Sequence, residues 1–402
     1  MPRAFLVVLD SAGVGGAPDA GDFFNGDTPD TGSNTIGHIA RACAAGAAEE
    51  GRSGPLRMPN LGALGLKAAI RTASGFDAPG LPDAADGLHG SATEVSQGKD
   101  TPSGHWELAG VPVPWDWHYF PKTVPSFPEE VTARVLELAG TRAILGNCHA
   151  SGTAIIDELG EEHVKTGFPI CYTSVDSVFQ IAAHEQHFGL ERLLDLCRGL
   201  APMLHEMRVG RVIARPFVGE AGDYQRTTNR RDFAIAPPAP TLCDWVSEAG
   251  RKVHAVGKIG DIFSMRGIDD VRKGTDAALM EHLVELTASA EDGSLTFANF
   301  VEFDSLFGHR RDVSGYARAL EWFDAQVPRL LANMGAGDLM IFTADHGNDP
   351  TFTGNDHTRE RVPVLGHGVG ARDIGNVAFV DVAASVAGHL GVAARGNGRS
   401  FL

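Results

Sequence analysis

At 402 residues the chain is too long for one ordinary core, so two domains, or one domain carrying a large insertion, is the expectation. Its 51 acidic against 34 basic side chains leave a formal charge of −17, which argues against a nucleic-acid partner but not against a small anionic ligand held by local cations. No apolar run approaches the ~18 residues of a membrane span, the amino terminus does not read as a signal peptide, and five scattered cysteines without a Cys-x-x-Cys pair read as free thiols in a reducing cytoplasm.

Taken in chain order, residues 4–9 form an apolar run that ends in Asp10 and opens into a glycine-rich loop, 11–16. Residues 33–43 carry a cap and helical spacing, with His38 a structural or surface histidine, and 44–54 read as a loose loop. The segment Gly98-Lys-Asp-Thr-Pro-Ser-Gly-His-Trp-Glu107 is dense in groups that turn, donate and accept. Prolines then recur from Val111 to Pro128, interleaved with Trp115, Trp117, Tyr119 and Phe120, and a second cluster falls at 237–240. Between them we expect an inserted cap domain, 115–236, with helices at 128–140 and 191–199, a Gly/Ser turn at 150–152 and a strand at 168–173. Residues 1–114 and 237–402 would form the core domain around it. After Thr241, a good N-cap for 242–249, the α/β rhythm resumes: strands at 252–256, 295–303, 338–342 and 362–365 are expected, and no internal repeat is found. The fold expected is α/β, a mostly parallel sheet with helices on both faces and a smaller α/β insertion.

The polar residues fall at the ends of these strands. Asp345 and His346, in Thr343-Ala-Asp-His-Gly-Asn-Asp349, follow one strand; Asp10 follows another; Asp304 closes a third, with His309 five residues on. His357 lies in the loop before 362–365. One such carboxylate is usually a helix cap or a turn residue, and Asp-His-Gly alone reads as a strand-to-loop turn with Gly347 supplying the bend. Three carboxylates with three histidines near them are hard to explain so. At the carboxyl edge of an α/β sheet, where ligands bind, they offer the mixed oxygen and nitrogen donors that suit manganese, zinc or iron.

These motifs closely resemble the alkaline phosphatase superfamily and, within it, the family of bacterial phosphopentomutases. Asp10-Ser-Ala-Gly-Val-Gly-Gly-Ala-Pro-Asp19, Ala150-Ser-Gly-Thr153, Tyr172-Thr-Ser-Val-Asp-Ser-Val178 and Gly210-Arg-Val-Ile-Ala-Arg-Pro-Phe-Val-Gly-Glu220 are the segments closest to that family. The resemblance implies two divalent metal ions, usually Mn2+, held by Asp10, Asp345 and His346 on one side and Asp304, His309 and His357 on the other. It implies Thr101 as the nucleophile between them and a sugar bisphosphate as activator. Pro102-Ser103 departs from the Met and Thr of that pattern, a difference that bears on loop geometry. The physical case for Thr101 is independent of the name: its hydroxyl is a poor nucleophile at neutral pH, and two metals roughly 3.5–4 Å apart can share and ionise it. His105 could assist, or act as a cap or a support to the ligands.

The unreacting phosphate of a substrate needs its own anchor, and in this acidic chain Arg208, Arg211, Arg215, Arg226, Arg230 and Arg231 stand out. The resemblance favours Arg211, with Ser174, Asp176 and Lys258 also near the substrate. The expected activity is an isomerase moving a phosphoryl group between C1 and C5 of ribose or deoxyribose, with a small phosphosugar as its only partner. A metal-dependent phosphatase or phosphodiesterase and a non-catalytic, metal-stabilised phosphosugar-binding protein are the alternatives. Phosphoglycerate mutation is disfavoured because that family's nucleophile is serine.

Overall fold

The strand Ala4–Leu9 is buried at every residue, as a strand with neighbours on both edges and layers on both faces must be. In this computed structural model, which describes all residues except Val175 of the 172–178 segment, it lies within the larger of two compact units, Met1–Pro114 with Pro237–Leu402. Among the described residues its sheet runs Asp270–Arg272, Val253–Val256, Leu295–Phe300, Ala4–Leu9, Leu339–Thr343, Val362–His367, Leu88–Thr93, Arg372–Ala378. Val362–His367 is antiparallel to both neighbours, and the other pairs are parallel.

Register decides what this sheet delivers. Leu9 pairs with Phe300 and Val8 with Thr343, so three adjacent strands end at almost the same level. Asp10 emerges directly, its N–H donating to Phe300 O at 3.1 Å, and Asp345 follows two residues after Thr343. The strand expected over 295–303 stops at Phe300, and Asp304 sits instead in a wide, π-helical turn, Phe303–Gly308, that ends at His309. That turn carries both Asp304 and His309, the two expected ligands that follow this strand.

The second unit, Trp115–Ala236, has its own sheet: Arg231–Ala234, Arg211–Val218, Val178–His184, Ile170–Thr173, Leu145–His149, with Gln225–Arg226 beside Arg211–Val218. Phe179, Ile181, Ala183, Val212 and Ala214 face one way, onto Val131 and Val135 of Glu129–Ala139 and the leucines of Leu190–Glu206. Tyr172, Ala182 and Phe217 face the other way, onto Ile155 and Ile156 of Gly152–Thr166. The Gly/Ser turn expected at 150–152 is thus the entry to a helix. The helix expected to end at Gly199 continues through Pro202 to Glu206, because Leu200 and Leu204 extend its buried stripe.

Candidate active site

All six proposed metal ligands meet at the carboxyl edge of the first sheet. Asp304, His309 and His357 each offer a donor atom within 4.8 Å of the others', and so do Asp10, Asp304 and His346, so Asp304 is common to both groups. Asp304 Oδ2 lies 3.1 Å from His309 Nε2 and its Oδ1 3.4 Å from His357 Nε2. His346 Nε2 lies 3.6 Å from Asp10 Oδ1 and 3.3 Å from Asp345 Oδ2, which joins Asp345 to the second group. The backbone holds this together: Gly347 and Thr358 exchange N–H···O bonds of 3.1 and 2.8 Å, which sets the rings of His346 and His357 4.1 Å apart.

The tautomers suit ligation. His346 Nδ1 faces Gly347 O at 3.1 Å and His309 Nδ1 faces Asn355 O at 2.7 Å, so both rings donate outward and turn the Nε2 lone pair to the carboxylates. Burial holds His346 down at about 4, so at neutral pH it is an uncharged imidazole. Burial, then Asp345 and Asp304, push Asp10 well above the carboxylate range. Burial acts on Asp304 too, but His357 and His309 outweigh it and hold that carboxyl well below the range. Asp10 Oδ1 is fully buried without a hydrogen-bond partner among the described residues, an expensive state for a carboxylate oxygen unless a cation sits against it. Three buried carboxylates and three imidazoles are a donor set that fits a pair of divalent ions.

Thr101 is the first residue of the helix Thr101–Leu108, capped by Asp100, whose carboxylate accepts from Ser103 N at 3.1 Å and Ser103 Oγ at 3.0 Å. Pro102 fits this first turn because the N–H it lacks has no intrahelical acceptor there. The departure at 102–103 is therefore built into a well-formed helix start. Thr101 Oγ1 lies 3.4 Å from His346 Nε2. Gly104 makes that approach possible, since a Cβ there would lie 2.1 Å from the carbonyl oxygen of Asp345. A phosphoryl group on Thr101 would sit at the positive end of the helix.

Several supporting residues were not picked out by the sequence reading. Asn299 Nδ2 donates to Asp10 Oδ2 at 2.9 Å and to His105 Nε2 at 3.0 Å; His105 Nδ1 then faces Thr101 O at 2.9 Å and Asp345 Oδ2 at 3.0 Å. Asn348 Nδ2 donates to Asp304 Oδ1 at 2.7 Å. The guanidinium of Arg359 is buried, bonding Asp19 Oδ2 at 2.8 Å, Glu94 Oε2 at 2.5 Å and Gly98 O at 2.6 Å, so it ties down the loop that leads to Thr101. Glu360, also buried, accepts from Gly15 N, Thr35 N and Thr358 Oγ1 at 2.7–2.9 Å. It also corrects the reading of Gly347, whose φ is not positive: a Cβ there would lie 2.4 Å from Glu360 Cδ, so the position needs space, not a bend. His38 is structural, its Nδ1 2.6 Å from Asp349 Oδ2.

Of the four residues expected near substrate, three gather within the second unit. Arg211 Nη2 lies 3.4 Å from Asp176 Oδ2, and Ser174 follows the strand Ile170–Thr173. Lys258, in the first unit, caps the short helix Ile259–Ile262 and lends its positive charge to Asp10.

Residues 2–394 match the family model of the Metalloenzyme superfamily. A phosphopentomutase of Agrobacterium fabrum is 55% identical over 411 aligned residues, covering 100% of both chains, and one of Chelativorans sp. is 55% identical over 100% of this chain and 98% of its own. Among solved structures, Leishmania mexicana phosphoglycerate mutase aligns over 100% of this chain and 97% of its own at 14% identity and a TM-score of 0.43, too distant to bear on chemistry. The chain is a metalloenzyme with the alkaline phosphatase-like fold. Within that class it belongs to the phosphopentomutase family, and it is an isomerase, an intramolecular phosphotransferase.

Proposed function

We propose that the chain interconverts (deoxy)ribose 1-phosphate and (deoxy)ribose 5-phosphate through a phosphothreonine at Thr101 and a 1,5-bisphosphate. The observation that carries this is the hydroxyl of Thr101, held at a helix start 3.4 Å from His346 Nε2, which itself lies 3.6 Å from Asp10 Oδ1 and 3.3 Å from Asp345 Oδ2. In the first transfer the P–O bond to Thr101 Oγ1 breaks as the free hydroxyl of the sugar monophosphate forms a new one, and the proton of that hydroxyl passes, in net, to Thr101 Oγ1. The bisphosphate turns round, and Thr101 Oγ1 takes its other phosphoryl group. Two divalent cations, Mn2+ in this reading, would be held by Asp10, Asp304, His309, Asp345, His346 and His357, and when bound they stabilise the threonine alkoxide and offset charge on the phosphoryl oxygens.

The chain's own part is positional. The Asp100 cap fixes the first turn, and His105, oriented by Asn299, braces Asp345 against the carbonyl of Thr101. Arg211, Ser174, Asp176 and Lys258 would hold the sugar phosphate, with residues 115–236 in the role of cap domain. A sugar bisphosphate would prime the enzyme by phosphorylating Thr101. The reading needs no protein partner, and the five free thiols accord with a cytoplasmic enzyme. No helix among the described residues is long and apolar enough to cross a membrane.

With ribose 5-phosphate, manganese and a priming bisphosphate, the expected product is ribose 1-phosphate. Intact-mass analysis should find one phosphoryl group on the primed protein, and Thr101→Ala should lose that mass and at least ~1,000-fold in kcat. Release of inorganic phosphate in place of ribose 1-phosphate would identify a phosphatase.

A further inference from the structure

Arg311 stands two residues beyond His309 in a left-handed backbone conformation, φ 55°, that a residue with a side chain enters only at a cost. Its side chain shows what offsets that cost. Nε donates to Gly354 O at 2.7 Å, and Nη1 donates to Gly308 O at 3.0 Å and to Asn348 Oδ1. Nη2 donates to Asp356 O at 2.8 Å, with Thr353 O and Asn25 Oδ1 at 3.3 and 3.4 Å. Every N–H of the fork therefore has an acceptor. Each acceptor is a neutral oxygen, although the chain offers 51 acidic side chains.

Three of those oxygens belong to residues 353–356, a loop without helix or strand that is exposed from Thr353 to Asn355. The same loop bears on two of the expected ligands: Asn355 O faces His309 Nδ1 at 2.7 Å, and His357 follows Asp356 directly. The third is reached by another route. Asn348 accepts from Arg311 through Oδ1 and donates through Nδ2 to Asp304 Oδ1 at 2.7 Å, so the guanidinium also fixes which way that buried amide faces. Asp304, His309 and His357 are one of the two groups of close donor atoms. Asp10, Asp345 and His346 take their supports elsewhere, from Asn299 Nδ2, Ser11 N and Gly347 O. A guanidinium suits the task because it has donors and no lone pair: it can hold carbonyl oxygens beside a cation site without becoming a ligand itself. A lysine would bring the same charge without the fork.

We infer that Arg311 is a positioning residue for one of the two cations: its guanidinium clamps residues 353–356 and Asn348 so that Asp304, His309 and His357 converge on one ion. This rests on the two-cation reading and adds to it the residue that orders half of the donors.

The test titrates full-length protein, stripped of metal by chelation, with Mn2+, the free ion being read from its electron paramagnetic resonance signal. The wild type should bind two ions. Arg311→Lys should weaken one of them by ~10–100-fold and leave the other near its wild-type affinity. Arg311→Gln, which removes the charge as well, should show the same selective loss, and both variants should keep the far-UV circular dichroism of the wild type. His357→Ala should weaken the same ion, and combining it with Arg311→Lys should cost far less than the two losses summed, as for residues that act on one site. Additive losses, equal weakening of both ions, weakening of neither, or a full-strength site in Arg311→Lys beside a weak one in Arg311→Gln would each overturn the inference. Fewer than two ions on the wild type would overturn the two-cation reading itself and the inference with it, which sets that failure apart from the others.

Discussion

Asn299 shows how one amide can serve both halves of the active site. It interrupts the apolar strand Leu295–Phe300, fully buried, and its Nδ2 is shared between Asp10 Oδ2 and His105 Nε2. Asn299→Leu keeps the branched shape, with bulkier methyl groups, and removes the donor, leaving two buried acceptors unmatched at about 1–3 kcal/mol each. It also frees the His105 ring to rotate away from Thr101 O and Asp345. We expect a lower melting temperature and a fall in kcat of at least ~10-fold with little change in KM; wild-type kcat in a folded variant would show that His105 needs no such orientation. The acids were legible in the sequence because they follow apolar runs, where a polar residue has to be explained, and the histidines because they lie close to such runs, His357 before one and His309 five residues beyond Asp304. Asn299 gave a weaker sign of the same kind, a lone amide within such a run. Gly104 and Gly347 gave none, because what excludes a side chain there is Asp345 or Glu360, and those contacts exist only once the chain has folded.

At the scale of elements, apolar runs found the central strands but not Leu88–Thr93, whose Gly90 and Ser91 look like loop residues. Its place is set by its partners: a Cβ at Gly90 would lie 2.5 Å from Gly375 O, so small residues are what let Arg372–Ala378 pair beside it. The turn that carries Asp304 was equally hidden, and its anchor is another element. Asp276, first residue of the helix Asp276–Ser289, accepts Val301 N–H at 3.2 Å and Glu302 N–H at 3.1 Å, fastening the exit of Leu295–Phe300. Burial, then Glu302, raise its carboxyl to about 7. A carboxyl raised on folding contributes stability that is fully present below its unfolded value, near 3.8, and is lost as pH rises through about 7. Melting temperature should therefore fall across that window, by the equivalent of ~4 kcal/mol at most, and Asp276→Asn should flatten the profile. An identical slope in the variant would assign the titration elsewhere.

For the whole molecule, the question is where a charge of −17 is tolerated and where it is not. On the surface water screens it, but Asp10, Asp304 and Asp345 are buried together, and folding the metal-free chain has to bear their repulsion. Metal bound to the folded state alone adds RT ln(1 + [L]/Kd), about 2.7 kcal/mol per site at one hundred times Kd. All the donors belong to Met1–Pro114 with Pro237–Leu402, whereas Trp115–Ala236 has its own sheet and its own cores and holds none of them. Chelation should therefore act unevenly. Amide exchange should quicken in Ala4–Leu9, Leu295–Phe300 and Leu339–Thr343, the strands whose exits lead to the proposed ligands, while Val178–His184 and Arg211–Val218 keep their protection. Restoring manganese should reverse the change. Equal loss of protection in both sheets would mean that the two units open as one, and unchanged protection in the first would mean that these carboxylates gain no stability from a cation.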